Sequence, residues 1–270
     1  GLAGCAGNKE SKPAGSDAGS AKSSSKNPAV ELQVFAANSL EKALPEVQEL
    51  YTDQAGTTFA DTQFKASGDL VEQMKAGAAV DVLITASKGT MDDAETAELI
   101  DTDTREDMFV NDLVIIRAEG SDTKVEAIAD VANLDGKIAI GDAKTVPAGK
   151  YANQALASVG LYTGTEGDDG EYAPEIADKV ALADKVGTAA AYVSTGDCVA
   201  GFVYSSDIFR YDGVEEAFVC PEDSHKPIVY PGAVAEGSEH ADEAKAFIDF
   251  CLTNKKAQKI WAKYGFELSE

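Results

Sequence analysis

The same local pattern occurs four times along this chain: a segment typical of a β-strand leads into a segment typical of an α-helix. In the first copy, apolar residues alternate with Glu31 and Gln33, and a helical pattern then starts at Ser39. Repeated alternation of strand and helix is typical of folds in which helices cover a largely parallel sheet. We therefore predict the α/β class for this chain.

The starts of the predicted helices carry most of the candidate binding residues. The first N–H groups of a helix have no partner within it, and the helix dipole is positive at that end. A tyrosine at the carboxyl end of a strand is a fifth candidate, because open α/β sheets bind ligands at that edge. The five candidates are Ser39, Ser67, Ala148, Val186 and Tyr204.

None of these five residues carries a charge, so the predicted site consists of hydroxyl and backbone N–H donors. Such a site suits a small oxyanion whose oxygens only accept hydrogen bonds. A protonated phosphate would bury its O–H without an acceptor, at a cost of about 1–3 kcal/mol. For Ser39 a plainer alternative stays open, in which its hydroxyl only caps the helix.

The charge of the chain restricts its partners. There are 47 acidic and 23 basic residues, for a net charge of −24. A protein this acidic repels the phosphates of nucleic acids, so we predict no nucleic-acid partner. The same charge repels small anions at long range, so an anion site here depends on donors in direct contact with the ligand.

The first residues predict a membrane anchor. Leu2 to Cys5 reads LAGC and resembles the lipobox at which bacterial lipoproteins are cleaved and lipidated on cysteine. Residues 6–29 are rich in Ser, Lys, Gly and Ala without periodicity, which is typical of a flexible tether. We therefore expect an extracytoplasmic protein that is lipid-anchored through Cys5.

The other three cysteines show no spacing typical of a metal site. Cys198 and Cys220 flank two apolar strand-like segments, so a disulfide between neighbouring strands and two free thiols are both compatible with the sequence. Cys251 lies on an apolar helical face and is expected in the core.

Several segments resemble the molybdate-binding proteins of bacterial ABC importers. They occur in the family's order between about residues 30 and 266 and read VFAANSL, FKASGDL, AVDVLITA, VPAGKYA, GFVYSSD and VCPEDSHKPIVYPGAV. The resemblance implies a type II periplasmic-binding-protein-like fold, with two α/β domains and a ligand cleft between them. It places the family's two serine ligands on Ser39 and Ser67, and its alanine, valine and tyrosine on Ala148, Val186 and Tyr204.

The resemblance also implies the domain limits and the partners. We expect residues 1–29 as the tether, 30–111 with 232–270 as domain I, and 112–231 as domain II. The expected ligand is molybdate or tungstate, with no cofactor, and the expected partner is an ABC permease in the membrane for a protein that is itself a monomer. One departure is that the family's serine-rich run is reduced here to Ser67.

Two alternatives remain. One is a binding protein for another oxyanion, such as sulfate or phosphate. The other is a serine hydrolase with Ser39 or Ser67 as nucleophile. Against catalysis, the chain has only two histidines, His225 and His240, and neither serine lies in a G-x-S-x-G turn.

Overall fold

The computed structural model describes residues 30–269. Cys5 and the predicted tether lie outside the described residues. Within 30–269, every helix is too short or too polar to cross a lipid bilayer.

Thirteen strands are formed within the described range. They are β1 (Glu31–Leu32), β2 (Val34–Ala37), β3 (Thr58–Phe59), β4 (Gln63–Lys65), β5 (Val82–Ile84), β6 (Glu106–Asn111), β7 (Leu113–Ala118), β8 (Ile138–Gly141), β9 (Val180–Ala183), β10 (Ala200–Tyr204), β11 (Val214–Val219), β12 (Ile228–Val234) and β13 (Phe266–Leu268).

Eight α-helices lie between these strands or follow them. They are α1 (Ala43–Ala55), α2 (Ser67–Lys75), α3 (Lys88–Thr96), α4 (Pro147–Ala157), α5 (Pro174–Ala177), α6 (Val186–Ser194), α7 (Ala241–Thr253) and α8 (Lys255–Lys263). Short 3-10 turns connect other segments, including Asn38–Leu40 and Ser205–Phe209.

Most strands belong to two mixed sheets. A six-stranded sheet has the order β13-β6-β12-β5-β2-β4, and a five-stranded sheet has the order β11-β7-β10-β8-β9. In the first sheet β4, β2 and β5 are parallel, and in the second β10, β8 and β9 are parallel. β1 and β3 form a separate parallel pair. The predicted α/β fold is confirmed.

Both faces of each sheet are covered, which explains the apolar strand sequences. In β2, Val34 and Ala36 pack into one hydrophobic cluster while Phe35 packs into another on the opposite face. In β7, Ile115 and Ile116 are divided between two clusters in the same way. Strands buried on both faces require continuous apolar runs instead of strict alternation.

The chain passes twice between the sheets. Asp112 alone connects β6 to β7, and residues 220–227 connect β11 to β12. β12 already pairs with β6 at Ile228, so the predicted return at residue 232 lies inside a strand of the six-stranded sheet. We keep the two-domain division as a proposal, with the second crossing placed before Ile228.

The three cysteines within residues 30–269 are buried and free. Cys198 precedes β10 and Cys220 follows β11, but β7 lies between these two strands, so a disulfide across neighbouring strands is wrong for this structure. The core position predicted for Cys251 is confirmed: its side chain is fully buried, and its carbonyl oxygen accepts a 2.9 Å hydrogen bond from Trp261 Nε1.

Candidate ligand-binding site

A cavity of about 840 Å³ lies where the carboxyl ends of parallel strands from both sheets meet. All five residues predicted from the sequence line it. Ser39 and Ser67 follow β2 and β4 of the six-stranded sheet. In the five-stranded sheet, Val186 starts the helix that follows β9, and Tyr204 is the last residue of β10. This is the edge at which open α/β sheets bind ligands.

Ser39 is held by a tyrosine rather than by a helix end. It lies in the 3-10 turn Asn38–Leu40, and α1 begins only at Ala43, so the predicted helix start at Ser39 is wrong. The capping alternative is wrong too, because neither helical segment has a side-chain cap. Instead, the Ser39 hydroxyl lies 2.7 Å from the hydroxyl of Tyr230, and the side chain is only 7% exposed.

Ser67 connects two strand ends. It is the first residue of α2, and its Oγ accepts a 2.9 Å hydrogen bond from the backbone N–H of Ala86, just after β5. Because the oxygen accepts there, the hydroxyl hydrogen of Ser67 is available to donate into the cavity.

Two backbone segments complete the site from the five-stranded sheet. Ala148 is the second residue of α4, after Pro147, whose missing N–H costs nothing in a first helical turn. Val186 is the first residue of α6. Gly149 N–H already donates to the carbonyl oxygen of Val146 at 3.0 Å. The N–H groups of Ala148 and Val186 lie in the first turns, where a helix offers no internal acceptor, so they can donate to an anion.

Tyr204 contributes a phenol that stays protonated. It ends β10 and is 8% exposed. Burial raises its pKa well above the ordinary value, and the nearby Tyr230, Tyr151 and Asp207 raise it further. The hydroxyl is therefore a neutral donor at any physiological pH.

This raised pKa gives a spectroscopic prediction. An ordinary tyrosine ionises near pH 10, so replacing it with Phe removes one phenolate absorbance step between pH 9 and 11. Since burial raises the pKa of Tyr204 well above the ordinary value, the ultraviolet titrations of the wild type and of Tyr204→Phe are expected to coincide there. A difference of one full tyrosine step would show that the phenol is not buried in solution.

The sequence reasoning did not place an arginine at the cavity. Arg210 lines it, with its Nε 3.1 Å from Glu41 Oε1 and one terminal nitrogen 3.0 Å from Asp207 Oδ1. Burial raises the pKa of Asp207 to about 6, although Arg210 opposes that rise. The guanidinium thus has two carboxylate partners. Two exposed lysines, Lys65 and Lys185, and two exposed aspartates, Asp69 and Asp184, also line the cavity.

The histidines do not join the serines. The ring of His225 lies against Tyr151, with Nδ1 2.7 Å from the carbonyl oxygen of Lys226, and His240 lines a different cavity. A serine nucleophile needs a base within hydrogen-bond reach, but Ser39 contacts Tyr230 and Ser67 contacts a backbone N–H. The geometry does not support the hydrolase alternative.

Comparison with known proteins identifies the family. The model of the family described as bacterial extracellular solute-binding protein matches residues 32–267. This chain belongs to that family. It is a binding protein that acts outside the cytoplasm, and not an enzyme.

Individual relatives agree with the resemblance seen in the sequence. The molybdate-binding protein ModA of Escherichia coli is 34% identical over 88% of this chain and 89% of its own length. The solved "substrate binding domain of putative molybdenum ABC transporter from Clostridium difficile" is 33% identical, with a TM-score of 0.77 over 89% of this chain and all of that one. The periplasmic molybdate-binding protein of Azotobacter vinelandii, at 20% identity and a TM-score of 0.69, supports the fold alone.

The structure adds residues around the site that sequence reasoning missed, namely Tyr230, Arg210 and Asn111. Tyr230 lies in the predicted strand IVYPGAV, but its contact with Ser39 spans 191 positions. No spacing within the sequence signals a contact of that kind.

Proposed function

We propose that this solute-binding protein captures molybdate, and also tungstate, and delivers it to an ABC permease. The observation that carries the proposal is that both sheets supply uncharged donors to one cavity: Ser39 and Ser67 from one, and the segments around Ala148, Val186 and Tyr204 from the other. The named ligand of the Escherichia coli relative supports the choice of oxyanion.

The donor set explains selectivity against phosphate. Phosphate carries at least one proton near neutral pH, whereas the proposed ligand presents four oxygens that only accept. Hydroxyls and first-turn N–H groups satisfy acceptors, but they leave a ligand O–H without a partner. Selectivity against sulfate has another origin: its shorter bonds to oxygen make it too small to reach donors on both sides at once.

We call each large sheet with its helices a lobe, so the six-stranded and five-stranded sheets define two lobes. The position of the cavity between them supports a mechanism in which the lobes close on the ligand. Each lobe alone offers only part of the donor set. A ligand therefore binds more tightly when the lobes are closed than when they are open, and this difference in affinity stabilises the closed form. The partial positive charges of the helix starts offset part of the charge of a dianion. We propose that the protein acts as a monomer, since one chain supplies all five residues.

We also propose a lipid anchor at Cys5. The LAGC segment and the tether composition support it. A relative in Bacillus subtilis, 31% identical over 88% of this chain and 86% of its own length, is named "Putative ABC transporter substrate-binding lipoprotein YvgL".

Titration calorimetry with four anions tests the ligand. We expect molybdate and tungstate to bind about 10 to 150 times more tightly than sulfate or phosphate. This range corresponds to the loss of one hydrogen bond to a charged group, about 1.5–3 kcal/mol. Metal analysis of protein exposed to molybdate and tungstate together gives their relative preference. Sulfate or phosphate binding as tightly as molybdate would refute the assignment.

A further inference from the structure

We propose that Tyr230 is a positioning residue that fixes the Ser39 hydroxyl as a hydrogen-bond donor to the bound oxyanion. The inference rests on the proposed function and extends it to a residue outside the five predicted donors. Three buried side chains, Asn111, Tyr230 and Ser39, are joined by hydrogen bonds, and we call this series the relay.

The chain begins at Asn111, whose amide orientation is fixed by its neighbours. Its Oδ1 lies 3.0 Å from the backbone nitrogen of Asp112, and an N–H can only donate. The same oxygen lies 3.4 Å from the backbone nitrogen of Ser206, whose N–H can also only donate. The oxygen must therefore face these donors, so the NH₂ group faces Tyr230 Oη at 3.2 Å and Ser206 Oγ at 2.8 Å.

The next step is at Tyr230, which is fully buried on β12. Its oxygen accepts from Asn111, so its single hydrogen is left for the other neighbour, Ser39 Oγ, at 2.7 Å. Burial raises the pKa of Tyr230 to about 12, which keeps that hydrogen in place at neutral pH. Because Ser39 accepts this hydrogen bond, its own hydrogen is directed elsewhere, into the cavity that both residues line.

The relay is anchored on both lobes before any ligand arrives. Asn111 ends β6 of the six-stranded sheet, and Ser206 follows β10 of the five-stranded sheet. The single hydroxyl hydrogen of Ser205 faces two acceptors, Asn111 Oδ1 and the carbonyl oxygen of Gly265, each 2.8 Å from Ser205 Oγ. A donor held in this way does not lose rotational freedom on binding, which favours affinity.

The consequence is selectivity as well as affinity. A Ser39 hydroxyl whose hydrogen is turned into the cavity matches a fully deprotonated oxyanion, because every oxygen of that ligand accepts. Without Tyr230 the hydroxyl can rotate and accept from a protonated ligand instead. Tyr230 thus discriminates against hydrogen phosphate from a position outside the five direct donors.

A double-mutant cycle with molybdate calorimetry tests the relay. We expect Tyr230→Phe to weaken binding about 3- to 10-fold, the range for one neutral hydrogen bond. If Tyr230 acts through Ser39, adding Tyr230→Phe to Ser39→Ala should change affinity less than about twofold. If the fold-loss in affinity of the double variant equals the product of the fold-losses of the two single variants, the two residues act independently and the proposal is overturned. Tyr172→Phe is the matched control, since its phenol donates to Asn153 at 2.7 Å outside the cavity, and unchanged binding is expected.

A second readout separates positioning from general damage. In Tyr230→Phe the affinity ratio of molybdate to phosphate should fall at least threefold, whereas a merely loosened site would weaken both anions equally and refute the relay. The ring contact of Tyr230 with Phe266, with centroids 5.5 Å apart, survives in Phe, so the thermal midpoint should stay within a few degrees. If the wild type prefers sulfate, the proposed ligand fails, but the same cycle run with sulfate still tests the coupling between Tyr230 and Ser39.

Discussion

Replacing Ser39 and Ser67 together with alanine is expected to weaken molybdate binding by a factor of about 10² to 10⁴. Each hydroxyl donates one hydrogen bond to a charged ligand in the proposed complex, and such bonds contribute about 1.5–3 kcal/mol each. The two serines belong to separate elements, the turn Asn38–Leu40 and the start of α2, so their losses should roughly add. Calorimetry of the double variant and of each single variant measures this.

The control is a buried serine elsewhere. Ser224 is 7% exposed and donates to the carbonyl oxygen of Pro221, outside the cavity, so Ser224→Ala should bind molybdate like the wild type. Ser67→Ala leaves the Ala86 N–H without its acceptor, so the thermal midpoint of each variant must be measured as well. Undiminished affinity in a folded double variant would show that the two serines are not ligands.

Replacing Gly149 with alanine is expected to lower both the stability and the affinity. A Cβ at this position would lie 1.8 Å from the carbonyl oxygen of Gly141, a backbone atom of β8 that cannot turn away. The start of α4 must therefore move off the sheet. We expect a loss of about 2–4 kcal/mol in the free energy of unfolding, or roughly 5–12 °C in thermal midpoint.

The affinity should fall for the same reason. Ala148 precedes Gly149 and lies on the turn that would be displaced, so we expect molybdate to bind at least about 10 times more weakly. Gly89→Ala is the matched control: it lies in α3 with nothing within 4 Å of its added Cβ, and it should be neutral or stabilise by up to about 1 kcal/mol. If Gly149→Ala melted and bound like the wild type, the close packing of α4 on β8 would be refuted.

The fold was predictable because its evidence is local. Runs such as those of β5 and β10 are apolar throughout, and helical periodicity follows many of them, so the α/β class follows from the order of elements. The location of all five candidate residues at one cavity was also predictable, since parallel strands present their carboxyl ends at one edge. The resemblance to molybdate-binding proteins then assigned particular residues at those ends.

Errors arose where local patterns were ambiguous. Ser39 looked like a helix start because a 3-10 turn and an α-helix share their first apolar positions, and only hydrogen bonding separates them. The disulfide alternative assumed that β10 and β11 are neighbours, but the order of strands in a sheet is not written in their sequence order.

The sequence by itself determined the order of most strands and helices, and which segment ends can offer uncharged donors. Only the tertiary structure decided how those donors are held. It brought Tyr230 against Ser39 and paired Arg210 with Asp207 and Glu41, so that the nearby positive charge has carboxylate partners. The physical reason is that periodicity and capping act over a few residues, whereas a side-chain hydrogen bond across 191 positions depends on how two sheets pack.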